Sequence, residues 1–111
     1  MTMLRKYVEF TDKTAIYPGA GTKHLLALTY LGLGLASEGG EVAGKIKKLM
    51  RDEDTKAARA KVIEEMGDCF WYLARLCQEL DVDIYEVILA NKLKLEDRLR
   101  RGVLKGNGDR R

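Results

Sequence analysis

Apolar side chains recur at helical spacing along nearly the whole chain, and no stretch alternates in the two-residue period of a strand. Leu4, Val8, Thr11 and Ala15 fall on one side of a first helix predicted from about Met3 to Ala15. Tyr17-Pro18-Gly19-Ala20-Gly21 breaks the pattern as a loop, and Thr22 is the expected N-cap of a second helix from about Lys23 to Arg51. Leu28, Leu31, Leu35, Val42, Ile46 and Leu49 share one face of that long helix. Leu26 and Leu33 stand on the opposite side, so its first half is apolar nearly all round and needs neighbours on more than one side. A subunit interface is the simplest source of that second neighbour. Gly32, Gly34, Gly39, Gly40 and Gly44 each cost the helix up to about 1 kcal/mol relative to alanine, which marks a close backbone approach or a local break.

Arg51-Asp52-Glu53-Asp54 reads as a polar turn, with Asp54 or Thr55 capping a third helix. Val62, Met66, Cys69, Phe70, Leu73, Leu76, Cys77 and Leu80 give that helix the cleanest apolar stripe in the chain. Asp83 caps a fourth helix to about Arg100, with Ile84, Ile88, Leu95 and Leu99 on its apolar face, and Gly102 stops it. The expected fold is all-α: a four-helix-type bundle with a long second helix, assembling as a dimer or a dimer of dimers. Residues 1–101 form its single domain, and residues 102–111 a basic, disordered tail.

Composition narrows the class. A chain of 111 residues with 46% hydrophobic content and one proline suits one helical globule. A net charge of +3, from 20 basic and 17 acidic residues, is too mild to argue for nucleic-acid binding. The apolar run from Leu25 to Ala36 is too short to span a bilayer, and charges interrupt the opening residues where a secretory signal would be apolar. Cys69 and Cys77 lie roughly 12 Å apart along one helix, beyond disulfide reach, and two unpaired thiols fit a reducing, cytoplasmic setting.

Glu38 and Glu41 on the second helix, and Glu65 and Asp68 on the third, are each spaced three residues apart. At about 100° per residue, the members of each pair point to one side, about 60° apart. Four carboxylates converging from two helices, with no histidine or cysteine among them, suit Mg²⁺ or Mn²⁺ rather than zinc. Lys45 and Lys48 continue the flank of Glu38 and Glu41, the arrangement a metal–phosphate site would use. A solvated flank of i, i+4 ion pairs is the bland alternative. Trp71 and Tyr72 adjoin Glu65 and Asp68, either to stack on a nucleobase or to pack at a subunit contact. Asn91 falls within the fourth helix's apolar face, and Lys94 and Arg98 continue its seam toward a triphosphate or sugar hydroxyl. A satisfied core asparagine with two snorkelling cations explains the same pattern. A single histidine, His24, and the absence of Glu-x-x-His set aside a di-iron bundle.

Taken together, these segments resemble the MazG-like nucleoside triphosphate pyrophosphohydrolases, in the all-α group that also holds dimeric dUTPases and dCTP pyrophosphatases. The family pattern has two adjacent glutamates, a third three residues later, and Glu-x-x-Asp downstream; here stand Ser37-Glu38-Gly39-Gly40-Glu41 and Glu65-Met66-Gly67-Asp68. Gly67 to Ala74 is similar to the family's GDxxWYLA segment, and Asn91 to Arg98 to its NxxKLxxR segment, so the resemblance covers Tyr17 to Arg101. Ser37 replaces the first glutamate, which bears on support of the metal or on water activation more than on metal binding. The resemblance implies Mg²⁺-dependent hydrolysis of a nucleoside triphosphate, with a deoxynucleotide favoured, to monophosphate and pyrophosphate, in nucleotide-pool housecleaning. Glu38, Glu41, Glu65 and Asp68 would hold the metal, with Glu38 or Glu41 taking the proton from water. Lys45, Lys48, Lys94 and Arg98 would meet the phosphates, Asn91 the sugar, and Trp71 or Tyr72 the base. The competing readings are a non-catalytic helical interaction module and a small nucleic-acid-binding protein using Arg98 to Arg111; acids at 38 to 68 would repel a phosphate backbone in the latter.

Overall fold

The computed structural model describes residues 1–111, which form four α-helices and no strand. These are α1 (Met3–Thr11), α2 (Leu25–Arg51), α3 (Lys56–Glu79) and α4 (Ile84–Arg100). The chain divides into two compact units, 1–81 and 82–111, each described by itself.

In the first unit, α2 and α3 form an antiparallel hairpin across the turn at 52–55, and α1 packs on α3. Thr55 caps α3 by accepting a hydrogen bond from the Ala58 N–H at 3.0 Å. Two predicted helix ends move. α1 stops at Thr11 rather than Ala15, because Thr11 and Thr14 turn their hydroxyls onto the carbonyls of Val8 and Thr11, at 2.6 and 3.1 Å. α2 begins at Leu25, and its N-cap is His24, with no side-chain bond to the helix. Thr22 instead donates to the Gly19 carbonyl at 2.6 Å and accepts from the His24 N–H at 3.3 Å. Lys23 sits at φ 62°, outside helical geometry, with its N–H drawn 2.8 Å from Glu79.

Glu79 is the reason the loop lies where it does. Its carboxylate accepts from the Tyr17 hydroxyl, from the Gly21 N–H at 2.8 Å and from the Lys23 N–H. Arg75, one turn earlier on α3, donates to the Tyr17 hydroxyl at 3.1 Å, to Thr11 Oγ1 at 3.2 Å and to Asp12. Tyr17, Ala27 and Leu31 form the apolar core beneath this network, with Trp71, Tyr72 and Leu76 packed against it. Every buried side chain of the unit therefore belongs to one end of the hairpin, and none of residues 32–73 is buried.

The rest of the hairpin carries much uncovered apolar surface. Leu26 and Leu33 on α2, and Met66, Phe70 and Leu73 on α3, are exposed. No helix is long and apolar enough to cross a membrane.

In the second unit, Asp83 caps α4 by accepting from the Tyr85 N–H at 2.8 Å. Gly102, at φ 71°, follows the helix in the left-handed conformation that glycine adopts without a steric cost. Residues 102–111 turn back so that Arg98 and Arg101 donate to the carbonyls of Asp109 and Arg111, at 2.6 and 2.7 Å.

Candidate active site

Because α2 and α3 run antiparallel, side chains that share a flank on each helix meet in reverse order along the groove between them. Glu38 from α2 meets Glu65 and Asp68 from α3, and one carboxylate oxygen of each lies within 4.8 Å of the others. Burial, the charge of Asp68, and the hydrogen-bonding contact and charge of Glu65 hold the Glu38 carboxyl above its ordinary value, with Glu41 adding to the effect. Like charges gathered this closely are stabilised by a cation. The donor set consists of oxygens alone, which fits Mg²⁺ or Mn²⁺. Glu41 lies outside this cluster and is exposed, although its charge reaches Glu38.

One end of the groove is aromatic. Glu38, Asp68, Trp71, Tyr72 and Thr14 line a cavity of about 320 Å³. Trp71 donates to Thr14 Oγ1 at 2.7 Å and meets Tyr17 and Tyr72 edge-on, with centroids 6.1 and 5.0 Å away. Tyr17 in turn stacks on Tyr30 at 5.4 Å. Trp71 and Tyr72 thus pack against the core while bordering the carboxylates. Burial, coupling to Tyr30 and the charges of Glu38 and Asp68 push the Tyr72 hydroxyl up.

The other end is basic. Lys45, Lys48 and Lys61 line a cavity of about 230 Å³ together with Asp52, Glu53 and Thr55. None of the three lysines has a carboxylate within ion-pair distance.

The remaining predicted residues belong to the second unit. Asn91 is exposed on α4 rather than core-facing, because only Ile84 and Arg98 of that helix are buried. Lys94 is exposed, and Arg98 is 5% exposed with its guanidinium on the Asp109 carbonyl.

Three further residues of this unit escaped the sequence reading. Lys61 carried a legible signal, since it lies four residues before Glu65 and so shares its flank. Thr14 carried none, because the loop fold brings it to Trp71. Tyr7 on α1 carried none either; burial, then the charge of Asp68, pushes its hydroxyl up.

An all-helical chain whose hairpin gathers acids between aromatic and basic ends is a candidate phosphate-ester or anhydride enzyme. Residues 27–102 match the MazG nucleotide pyrophosphohydrolase domain, and the chain belongs to that family. At family level it is therefore a nucleotide pyrophosphohydrolase-type hydrolase, from a family that is generally metal-dependent. It is also similar to the Gene 37 protein of Mycobacterium phage L5, 45% identical over 102 residues that cover 88% of this chain and 90% of that protein. No solved structure matches the chain.

Proposed function

We propose that the protein hydrolyses nucleoside triphosphates, deoxynucleotides in particular, to monophosphate and pyrophosphate with Mg²⁺ or Mn²⁺. The observation that carries this reading is the carboxylate cluster of Glu38, Glu65 and Asp68, set between the aromatic cavity and the lysine cavity. That order gives the groove a direction. The nucleoside lies against Trp71 and Tyr72, the α-phosphate at the carboxylates, and the β- and γ-phosphates among Lys45, Lys48 and Lys61.

Glu38, Glu65 and Asp68 would hold the metal, which when bound would neutralise phosphate charge and lower the pKa of water. Glu41, next along the flank and outside the cluster, takes the proton from the attacking water. Water oxygen bonds to the α-phosphorus as the bond to the bridging oxygen breaks, and the departing pyrophosphate is met by the three ammonium groups. Nucleotide-pool housecleaning in a reducing cytoplasm is the setting consistent with this chemistry and with Cys69 and Cys77 lying outside any disulfide.

The same chain forms a homo-oligomer in this proposal, a dimer or a dimer of dimers. The support is the exposed apolar surface on α2 and α3, including Leu33 at 69% and Phe70 at 54% exposure.

The test is incubation with each common ribo- and deoxynucleoside triphosphate, with Mg²⁺ and then Mn²⁺, and assay of pyrophosphate. Turnover that chelator abolishes is expected. Absence of turnover with every substrate would leave a non-catalytic helical module as the better account.

A further inference from the structure

The glycines of α2 are not equivalent. A Cβ built at Gly32, Gly39, Gly40 or Gly44 meets nothing within 4 Å. A Cβ at Gly34 would lie 2.0 Å from Tyr72 Cε1, 2.4 Å from Cζ and 2.8 Å from Cδ1. The Tyr72 ring therefore rests directly on the α2 backbone. Its swing away from α2 is restricted, since Trp71 meets it edge-on with centroids 5.0 Å apart and the ring packs against the core of Tyr17, Ala27 and Leu31.

This contact stands next to the carboxylates on both helices. Gly34 precedes Glu38 by four residues, and Tyr72 follows Asp68 by four, so each is about one helical turn from the cluster. A methyl group at position 34 must move the ring or move α2. Mg²⁺ demands near-ideal octahedral geometry at about 2.0–2.1 Å, whereas Ca²⁺ accepts longer bonds and irregular arrangements.

We propose that Gly34 is a positioning residue: by admitting the Tyr72 ring against the α2 backbone, it sets the helix separation that lets Glu38 reach Glu65 and Asp68 around a small divalent cation. The inference rests on the reading that these carboxylates bind such an ion. Gly34 itself touches neither substrate nor metal.

The experiment measures binding of Mg²⁺, Mn²⁺ and Ca²⁺ to the full chain by calorimetry, without nucleotide, with helicity checked by circular dichroism. Gly34→Ala is expected to weaken Mg²⁺ binding about 10-fold or more, the range seen when the support of metal ligands is disturbed. Ca²⁺ binding should fall less, so the preference shifts toward the larger ion. Tyr72→Ala added to Gly34→Ala makes room for the methyl and restores Mg²⁺ binding to the level of Tyr72→Ala alone. Gly32→Ala and Gly44→Ala, which meet open space, leave it unchanged. Equal Mg²⁺ binding by wild type and Gly34→Ala overturns the inference alone. So does a helical double variant that fails to recover, or an equal loss for all three ions. Failure of the wild type to bind any divalent ion overturns the inference together with the reading beneath it.

Discussion

Arg75 and Glu79 stand one turn apart on α3, at 3% and 2% exposure, and share the hydroxyl of Tyr17 between them. A buried ion pair is costly to desolvate, and this one is offset by hydrogen bonds that reach two other parts of the chain. Arg75 ties in the end of α1 through Thr11 and Asp12. Glu79 ties in the loop through Gly21 and Lys23. The pair thereby fixes Tyr17, on which Tyr30 and Trp71 lean.

Removing the acid should be severe. Glu79→Ala strands the Tyr17 hydroxyl, two backbone N–H groups and part of a buried guanidinium, and is expected to cost about 3 kcal/mol or more. Urea unfolding followed by circular dichroism measures it; a loss under about 1 kcal/mol would show that the network contributes little.

The same carboxylate predicts an acid limit. Burial alone would raise Glu79, but the bonds from Tyr17, Gly21 and Lys23 and the charge of Arg75 hold it below its ordinary 4.5. An acid depressed on folding contributes stability above its unfolded value, and that contribution is lost as pH falls through the folded value. Melting temperature should therefore decline below about pH 4.5, and the decline should be shallower in Glu79→Gln.

Glu38 carries the opposite sign. Its carboxyl is raised above 4.5, by burial first and then by the neighbouring acids. The native state keeps that proton through the window from 4.5 up to the folded value, so stability falls as pH rises across it. In chelator at pH 7, Glu38→Gln should melt on the order of 2–4 °C higher than wild type. Mg²⁺ is expected to raise the melting temperature of the wild type and to leave that of the variant unchanged. Differential scanning fluorimetry with and without Mg²⁺ reads both effects.

Glu41 and Asp68 should separate by assay. Asp68→Asn removes a proposed metal ligand and is expected to weaken Mn²⁺ binding about 10-fold or more. Glu41→Gln should keep Mn²⁺ binding while kcat falls about 100-fold or more, as for loss of a general base. Matched metal affinities with matched kcat losses would merge the two roles.

Lys61 tests the direction of the groove. Lys61→Ala should weaken inhibition by pyrophosphate about 10-fold, the scale of one charged hydrogen bond, while inhibition by the nucleoside monophosphate is little changed. Equal weakening of both would place Lys61 away from the pyrophosphate end.

Local chemistry made most of the fold legible. Thr55 and Asp83 cap the helices they precede, and the stripes of α2 and α3 predict a paired hairpin. Thr22 misled because a distant carboxylate claims the backbone beside it, and no local signal marks an interaction spanning 56 residues. The acids were legible as i, i+3 pairs, yet helical spacing fixes only direction. The antiparallel pairing brings Glu38 into the cluster and leaves Glu41 outside it. Lys61 shared the flank of Glu65 and was there to be read. Tyr7 and Thr14 depend on how α1 and its loop return to α3, which periodicity does not encode. Wheel geometry placed Asn91 on an apolar face, but that face of α4 is open in its own unit.

The concentration of buried side chains at one end of the hairpin has a dynamic consequence. Amide protons near Leu31 and Ala74 are sealed by a close-packed floor and should exchange with solvent slowest. Those toward Met50 and Lys61 should exchange faster in an isolated chain, because opening there disrupts little interior contact. The acids occupy the slope between these regimes, and in the proposed orientation the triphosphate's tail is directed toward the end that yields first.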